Sequence, residues 1–216
     1  CMPVIEAIVS VNPDAKIAMT EEALDLISGT GSSVSLIKAG EEFTQLDLVY
    51  MVLMSSYGDC ALLAATYYGG SVENFVNMMN SRANELGLTG THYENPIGLH
   101  HEDNYTTARD TYALTKFALQ NETFKEVCES TRHTVTTTSG KRVLSTTNSL
   151  QDNTTNYYYQ YAKGVKTGYT DEAGRCLVST ASYNGYNYMC MVFGCTTKKK
   201  NHFTESKELY RWAFNN

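Results

Sequence analysis

The segment from Gly164 to Gly174 carries the side chains with the clearest chemical potential in this chain. It has the pattern of a β-strand in which the ammonium group of Lys166 and the hydroxyl group of Thr167 are followed by Gly168. The two polar side chains can meet an anionic end of a ligand, and a glycine lets another peptide lie close to the backbone. Extended peptides bind strands in this way, by pairing with an open edge. The segment therefore predicts a strand edge that binds a peptide carboxylate.

Helical patterns fill the first two-thirds of the chain. Thr44 is a predicted N-cap, with the acidic Asp47 three residues later, for a helix that is apolar nearly all round and should be central. This helix is predicted to end at residues 55–58, and a second buried helix follows from Asp59 to Tyr68. Further helices are predicted over residues 1–11, 71–86, 107–120, 121–130 and 204–214. Residues 20–24 form either a short helix or part of a loop, and residues 29–42 are predicted to be loop.

From Gly164 onward the pattern changes to strands, predicted over residues 164–170, 175–183 and 186–194. Asn184-Gly185 predicts a type I′ turn between the last two strands. Pairing outward from this turn sets Ser179 opposite Cys190 and Cys176 opposite Phe193. The two cysteines then point to opposite faces of the sheet, so that they cannot form a disulfide.

These elements predict one α+β domain over residues 1–216, with a helical part followed by an antiparallel sheet that the closing helix covers. The 216 residues suffice for one well-buried core. A net charge of −6 argues against a nucleic-acid-binding face. The sequence has no stretch near the ~20 apolar residues that a membrane span requires.

Several short motifs follow one another in a characteristic order. They are Gly40-Glu41, Leu53-Met54-Ser55-Ser56, Gly70-Ser71-Val72-Glu73, Asn95-Pro96 with Gly98-Leu99, Tyr105-Thr106-Thr107-Ala108-Arg109-Asp110, Lys166-Thr167-Gly168-Tyr169-Thr170, Ala173-Gly174-Arg175 and Trp212-Ala213-Phe214-Asn215. With these motifs nearly the whole chain resembles the serine D-Ala-D-Ala carboxypeptidases, the low-molecular-weight penicillin-binding proteins. The resemblance implies a β-lactamase/transpeptidase-like fold.

The resemblance also implies a mechanism without a metal ion or cofactor. In the family, a serine at a helix start attacks the terminal D-Ala-D-Ala bond and a lysine one turn later takes its proton, so that an acyl-enzyme forms and is hydrolysed. The implied substrate is a peptidoglycan stem peptide ending in D-Ala-D-Ala, and β-lactam antibiotics are the implied inhibitors. The implied location is outside the cytoplasmic membrane, at the cell surface or in the periplasm.

Two groups of residues match the family's motifs. Ser56 matches the serine of Ser-x-Asn, whose hydroxyl relays a proton, but Gly58 stands where the substrate-binding asparagine is expected. Ser56 could also simply cap the next helix. Ser56 and Lys166 are therefore the predicted catalytic residues, and Gly58 is a substrate-binding position whose amide contact is missing or comes from elsewhere.

The second group lies on the predicted edge strand. Lys166 and Thr167 would bind the terminal carboxylate of the substrate, as a point charge and as a hydrogen-bond donor. Gly168 would give room for the peptide, and the backbone N–H of Tyr169 would form half of an oxyanion hole. The resemblance thus predicts that these residues face a cleft, with Ser56 across from them.

The nucleophile is the main departure from the family. The family's Ser-x-x-Lys and two N-terminal strands fall before the position matching Cys1, so we expect this chain to lack both and to be inactive by itself. Ser35-Leu36-Ile37-Lys38 has the right letters but falls in a predicted loop, and nothing places a base beside Cys1.

Other readings stay open at this point. A module that binds peptidoglycan stems without cleaving them would also fit, since Gly58 replaces the motif's asparagine, and a β-lactamase-like hydrolase would share the fold. His100-His101-Glu102-Asp103 could hold a metal ion but lacks a third distant ligand, and a polar loop is the simpler interpretation. Tyr157, Tyr158 and Tyr159 either line a glycan or peptide surface or cover one.

Overall fold

The computed structural model describes residues 12–195 and 201–216, so the helix predicted over residues 1–11 lies outside the described part. The chain divides into two compact units, one formed by Cys1–Val127 with Arg132–Ser145 and the other by Cys128–Thr131 with Thr146–Asn216. We refer to them as the first and second unit. The organisation of residues 1–216 as a single domain stays a prediction.

The first unit is mainly helical. Its described helices are α1 (Glu21–Ile27), α2 (Gln45–Ser55), α3 (Gly58–Gly69), α4 (Val72–Glu85), α5 (Ala108–Ala118) and most of α6 (Glu122–Glu129). The predicted cap at Thr44 is confirmed, and Ser71 and Thr107, the first residues of two predicted helices, are caps too: each hydroxyl accepts a hydrogen bond from the backbone N–H three residues later. Thr20 caps α1 in the same way, so the ambiguous segment at residue 20 begins a helix.

Helices α2 and α3 form the centre of the first unit. Most of their side chains are buried, as the nearly uniform apolar pattern of these segments predicts. Helix α2 ends at Ser55 and α3 begins at Gly58, so only a two-residue turn joins them. The turn therefore holds Ser56 between two elements of the core.

Four short strands complete the described part of the first unit. Strand β1 (Lys16–Ala18) pairs with β2 (Glu42–Thr44), and β3 (Arg132–Thr137) pairs with β4 (Gly140–Ser145), both antiparallel. Strand β3 has the threonine-rich composition that favours strands. The three-residue strands β1 and β2 are too short for a period of two to be recognised.

The second unit contains an antiparallel sheet of β5 (Ala162–Thr170), β6 (Gly174–Tyr183) and β7 (Tyr186–Cys195), in the order β5–β6–β7. The predicted type I′ turn is confirmed, since Asn184 and Gly185 have φ values of 50° and 82° and join the paired residues Tyr183 and Tyr186.

The register of the hairpin is partly as predicted. Ser179 does pair with Cys190, but the predicted pairing of Cys176 with Phe193 is wrong. Leu177 pairs with Val192 whereas Arg175 pairs with Cys195, so the register shifts by one residue between these two pairs. Gly194, with φ 67°, adopts the left-handed conformation typical of such a bulge. Cys176 and Cys190 are free thiols, in agreement with the prediction.

Helix α7 (Asn201–Asn215) covers one face of this sheet, as the sequence predicts. The buried cluster between them contains Leu150, Tyr159, Leu177, Ala181, Cys190, Phe203 and Tyr210. The hydroxyl groups of Ser179 and Tyr210 share a buried hydrogen bond of 2.9 Å, which ties the middle strand to the helix. Among residues 12–195 and 201–216, no helix combines the length and apolarity that crossing a membrane requires.

Candidate active site

Ser56 lies at the C-cap of α2. Its backbone is left-handed, with φ 57° and ψ 36°, and its N–H group donates to the carbonyl oxygen of Met51. The N–H group of Tyr57 also donates to Met51, at 3.2 Å, so both bonds close the end of the helix. A left-handed serine is uncommon and costs conformational free energy, because its Cβ crowds the backbone. The turn therefore holds the Ser56 side chain, which is half-buried, in a defined direction.

Gly58 is the first residue of α3 and is buried. A Cβ atom at this position would lie 2.6 Å from Oγ of Ser32 and 2.7 Å from Cδ1 of Ile27, both closer than real Cβ contacts allow. A side chain at this position would therefore require the ends of the Ser32 and Ile27 side chains to move. The close packing of Ser32 and Ile27 thus favours glycine at the position where the family's motif has asparagine.

Asp59 follows Gly58 and is fully buried. Its carboxylate accepts hydrogen bonds from the Ser35 hydroxyl at 2.6 Å, from the Ser35 backbone N–H at 2.9 Å, and from the Cys60 backbone N–H at 2.9 Å. Because the Ser35 hydroxyl donates to this carboxylate and lies in a loop, Ser35 and Lys38 do not have the helical geometry of a nucleophile pair. The loop predicted for this segment is confirmed.

Lys166, Thr167, Gly168 and Tyr169 all lie on β5, which is an edge strand of the described sheet. Successive Cβ atoms of a strand point to opposite faces, so Lys166 and Thr167 start from different sides of the sheet. A single carboxylate can meet both side chains only beyond the strand's edge. The predicted carboxylate site therefore requires β5 to be an edge strand, which it is in the described sheet.

The amine of Lys166 is in a poorly solvated position. Burial lowers the pKa of Lys166 to about 8, an effect that the nearby Cys128 thiol partly opposes. The Nζ atom donates a hydrogen bond of 2.9 Å to the backbone carbonyl oxygen of Thr167. The ammonium group is thus held along the strand, and its charge is destabilised relative to that of an ordinary surface lysine.

Thr167 has a partner that the sequence does not indicate. Its hydroxyl donates a hydrogen bond of 2.7 Å to Oγ1 of Thr147, which is exposed. The two hydroxyl groups lie 20 residues apart in the sequence, in the same unit. No local pattern marks Thr147, because its relation to Thr167 depends on how residues 146–150 pack beside β5.

Gly168 and Tyr169 are both exposed. A Cβ atom on Gly168 would meet only Cβ of Cys176, at an ordinary 3.8 Å, so this stretch of strand has room beside it. The Tyr169 hydroxyl donates to Asp171 at 2.6 Å, and the guanidinium of Arg175 lies 4.9 Å from the centre of the tyrosine ring. These contacts fix the ring at the end of the strand.

The start of β5 is anchored from the side of α6. Gly164 lies so close to Cys128 that a Cβ atom would come within 3.2 Å of the Cys128 carbonyl oxygen, and its φ of 144° also favours glycine. The Asn148 amide donates to the Gly164 carbonyl oxygen at 2.8 Å, and the Gln151 amide donates to the Cys128 carbonyl oxygen at 3.0 Å. These buried bonds hold the backbone that leads into Lys166.

The structure thus brings the predicted residues together in two groups, each within one unit. Ser56 and Gly58 belong to the first unit, and Lys166 to Tyr169 belong to the second. The arrangement of Ser56 across a cleft from Lys166, and the oxyanion role of the Tyr169 N–H group, stay predictions.

Comparison with known proteins gives matches over nearly the whole chain. The sequence profile of a family described as D-alanyl-D-alanine carboxypeptidase matches residues 1–197. The chain is 31% identical over 195 residues to the D-alanyl-D-alanine carboxypeptidase DacF of Bacillus subtilis. This match covers 90% of this chain and 48% of DacF. It is 31% identical over 204 residues to a D-alanyl-D-alanine endopeptidase of Pseudomonas aeruginosa, with 92% of this chain and 64% of that protein covered. The chain therefore spans between about half and two-thirds of the length of these relatives.

Solved structures agree with the sequence matches. The crystal structure of the Streptomyces K15 DD-transpeptidase superposes with a TM-score of 0.89 at 28% identity, covering 99% of this chain and 84% of that one. The α+β, transpeptidase-like fold predicted from the sequence is thereby confirmed.

Proposed function

Because the chain belongs to the D-alanyl-D-alanine carboxypeptidase family, we propose that its protein is a serine-type carboxypeptidase that acts on peptidoglycan stem peptides through an acyl-enzyme. The observation that carries the proposal is β5, an edge strand of the described sheet that bears Lys166, Thr167 and the open Gly168 in succession. A stem peptide ending in D-Ala-D-Ala is extended and carries a carboxylate, which are the two features that such a strand recognises.

The residues on this strand have complementary roles in the proposal. Lys166 provides the positive charge for the terminal carboxylate, and Thr167 provides a hydroxyl group beside it. Gly168 leaves room for the substrate backbone, and the Tyr169 N–H group stabilises the oxyanion of the tetrahedral intermediate. Ser56 relays a proton between the nucleophilic serine of the family's mechanism and the leaving D-alanine.

The lowered pKa of Lys166 has two consequences for this chemistry. With a pKa of about 8 the amine is mostly protonated at neutral pH and can bind a carboxylate, but it loses its charge as the pH rises through 8. Carboxylate binding should therefore weaken above this pH. At pH 7 about a tenth of the amine is neutral, which is enough for it to take part in proton transfer.

Penicillin inhibits enzymes of this family, and the proposal includes the same inhibition of this protein. We expect β-lactams to react at the substrate site, since their carboxylate can occupy the place of the substrate's terminal carboxylate beside Lys166. The substrate lies outside the cytoplasmic membrane, so the proposal places the protein there.

A second function is favoured by one observation. The side-chain space at Gly58 is filled, so the amide contact of the family's Ser-x-Asn motif cannot be restored there without repacking. A module that binds stem peptides and does not cleave them would need the strand but not this contact. Binding of stem peptides without cleavage is therefore the alternative function.

The test compares the full-length protein with its Lys166→Met variant and with a matched control variant, Lys163→Met. Lys163 is an exposed lysine on the same strand, three residues before Lys166. We expect the unaltered protein and the control to release D-alanine from a peptide ending in D-Ala-D-Ala and to form an adduct with labelled penicillin. Lys166→Met should lower kcat/KM by about 10²–10³-fold, since it removes a charge that contacts the substrate.

Other outcomes separate the alternatives. Peptide binding that depends on Lys166, without release of D-alanine, would establish the binding module. Rapid turnover of nitrocefin in place of a stable adduct would establish a β-lactamase. Equal activity of the Lys166→Met variant and the unaltered protein would contradict the proposal.

A further inference from the structure

A loop of the first unit, residues 92–105, is closed on itself by backbone pairing. His92 and Tyr105 form an antiparallel bridge, with N–H···O distances of 2.9 Å and 3.1 Å. Within the loop the Asn95 side chain accepts from the Leu99 N–H group at 3.0 Å and donates to the Leu99 carbonyl oxygen at 2.9 Å. These bonds fold the segment after Asn95 back, so that residue 94 faces residues 101–103.

This folding brings together three side chains of types that can bind a metal ion. One donor atom from each of Glu94, His101 and Asp103 lies within 4.8 Å of the other two. Nδ1 of His101 is 4.0 Å from Oδ2 of Asp103 and accepts a hydrogen bond of 3.2 Å from the Asp103 backbone N–H, which an ion bound at Nδ1 would replace. The sequence indicates the run His100-His101-Glu102-Asp103 without a distant further ligand, and Glu94 is the ligand that only the folded loop supplies.

His92 supports two of these residues from behind. Its Nδ1 lies 2.8 Å from the Asp103 carbonyl oxygen and 3.3 Å from Oε1 of Glu94. Because its nearer neighbour is a carbonyl oxygen, which can only accept, Nδ1 carries the proton and donates it there. This bond holds the Asp103 backbone in place, and the imidazole lies at ion-pair distance from the Glu94 carboxylate.

We propose that Glu94, His101 and Asp103 form a binding site for a divalent transition-metal ion, with Zn²⁺ as the best match. An imidazole beside two carboxylates suits Zn²⁺ better than Ca²⁺ or Mg²⁺, which prefer oxygen ligands alone. Tetrahedral Zn²⁺ with bonds of about 2.0–2.1 Å holds its ligands roughly 3.4 Å apart, so the three donors must approach by roughly 1 Å. The exposed side chains of His101 and Asp103 can make this adjustment, and water completes the coordination.

The consequence of binding is a cross-link within the loop. The ion joins residue 94 to residues 101–103 and so locks the Asn95–Leu99 turn between them. The proposal concerns the stability of this loop and does not depend on the proposed enzymatic function, whose acyl transfer needs no metal.

The test is titration of the metal-free protein with Zn²⁺ by calorimetry and with Co²⁺ by visible absorption. We expect one ion per chain, with a Zn²⁺ dissociation constant on the order of 1–10 μM, because few of the ligands are preorganised. The substitutions Glu94→Gln, His101→Ala and Asp103→Asn should each weaken binding at least tenfold. The loop offers matched controls in His100→Ala and Glu102→Gln, which change exposed residues of the same types outside the cluster and should bind normally.

Thermal melting provides a second readout, in which Zn²⁺ should raise the Tm of the unaltered protein and of both controls but of none of the three cluster variants. Binding that survives all three cluster substitutions, or that both controls weaken equally, would overturn the proposal. A thiolate-to-cobalt charge-transfer band in the near ultraviolet would also overturn it, since it would assign the ion to cysteine.

Discussion

The turn at residues 56–58 and the strand at residues 166–169 carry the two predicted motifs, and the molecule uses their residues differently. In the turn, Ser56 closes helix α2 in a left-handed conformation and Gly58 has the space beside it filled by Ser32 and Ile27. On the strand, Gly168 has room beside it, and burial works against the charge of Lys166. Packing within the unit explains the residues of the turn. It does not explain the poorly solvated lysine or the open glycine of the strand.

This difference indicates where a ligand would contribute most. A lysine with a depressed pKa is costly to the folded state, and such costs are typical of functional positions. A glycine enclosed by its neighbours, in contrast, is what a stable turn requires whether or not a ligand binds. The strand is therefore the better guide to function, whereas the departure from the family's motif at Gly58 reflects the packing of the turn.

The largest effect that we expect from this comparison is on stability in the turn. Gly58→Asn should lower the free energy of unfolding by about 1–2 kcal/mol, because the new Cβ atom overlaps the ends of the Ser32 and Ile27 side chains, which must move. Urea denaturation, followed by circular dichroism, measures this change.

A double-mutant cycle sharpens the same prediction. Gly58→Ala combined with Ser32→Gly should be more stable than the sum of the two single changes predicts, by about 1 kcal/mol, since the second substitution removes the closest contact. A neutral effect of Gly58→Asn would show that the turn can accept the motif's amide, and the contrast between turn and strand would then fail.

Much of this architecture could be predicted from local sequence signals. The caps at Thr44, Ser71 and Thr107 depend on a hydroxyl and the N–H group three residues later, and the turn at Asn184-Gly185 depends on two residues with positive φ. Such features need only neighbouring residues, so the sequence contains the whole interaction.

The features that sequence reasoning missed are those that join distant segments. Thr147 meets Thr167 across 20 residues, and Glu94 meets His101 only because the Asn95–Leu99 turn folds back. The bulge beside Cys176 shifts the hairpin register because Gly194 allows a left-handed residue in β7. Each of these depends on the tertiary path of the backbone, for which no short pattern exists.

A smaller and opposite effect is expected at the strand. The pKa of Lys166 is about 8 in the folded protein and 10.5 ordinarily, so between these pH values the unfolded chain binds a proton that the folded protein has released. The stability contributed by this group is therefore lowest below pH 8 and rises towards pH 10.5. Lys166→Met should be more stable than the unaltered protein at pH 7, by about 1 kcal/mol, although it is expected to lose activity.

The measurement is the free energy of unfolding at pH 7 and pH 10, with Lys163→Met as the exposed control on the same strand. The advantage of the Lys166→Met variant should shrink at the higher pH, whereas the control should differ little from the unaltered protein at either pH. An advantage that grows with pH would mean that the folded protein stabilises the ammonium form, contrary to the assigned cause.

The smallest effect concerns the hydroxyl pair on the strand. When the Thr167 hydroxyl donates its proton to a bound carboxylate, its oxygen can accept from the neighbouring Thr147 hydroxyl, and Thr147→Val removes that donor. We expect the dissociation constant of a peptide ending in D-Ala-D-Ala to rise about threefold, and Thr147→Ser, which keeps the hydroxyl, to restore it. Fluorescence anisotropy with a labelled peptide measures the change whether the protein cleaves the peptide slowly or not at all. Tighter binding by the valine variant would reverse the interpretation, since it would mean that Thr147 competes with the ligand for the Thr167 proton.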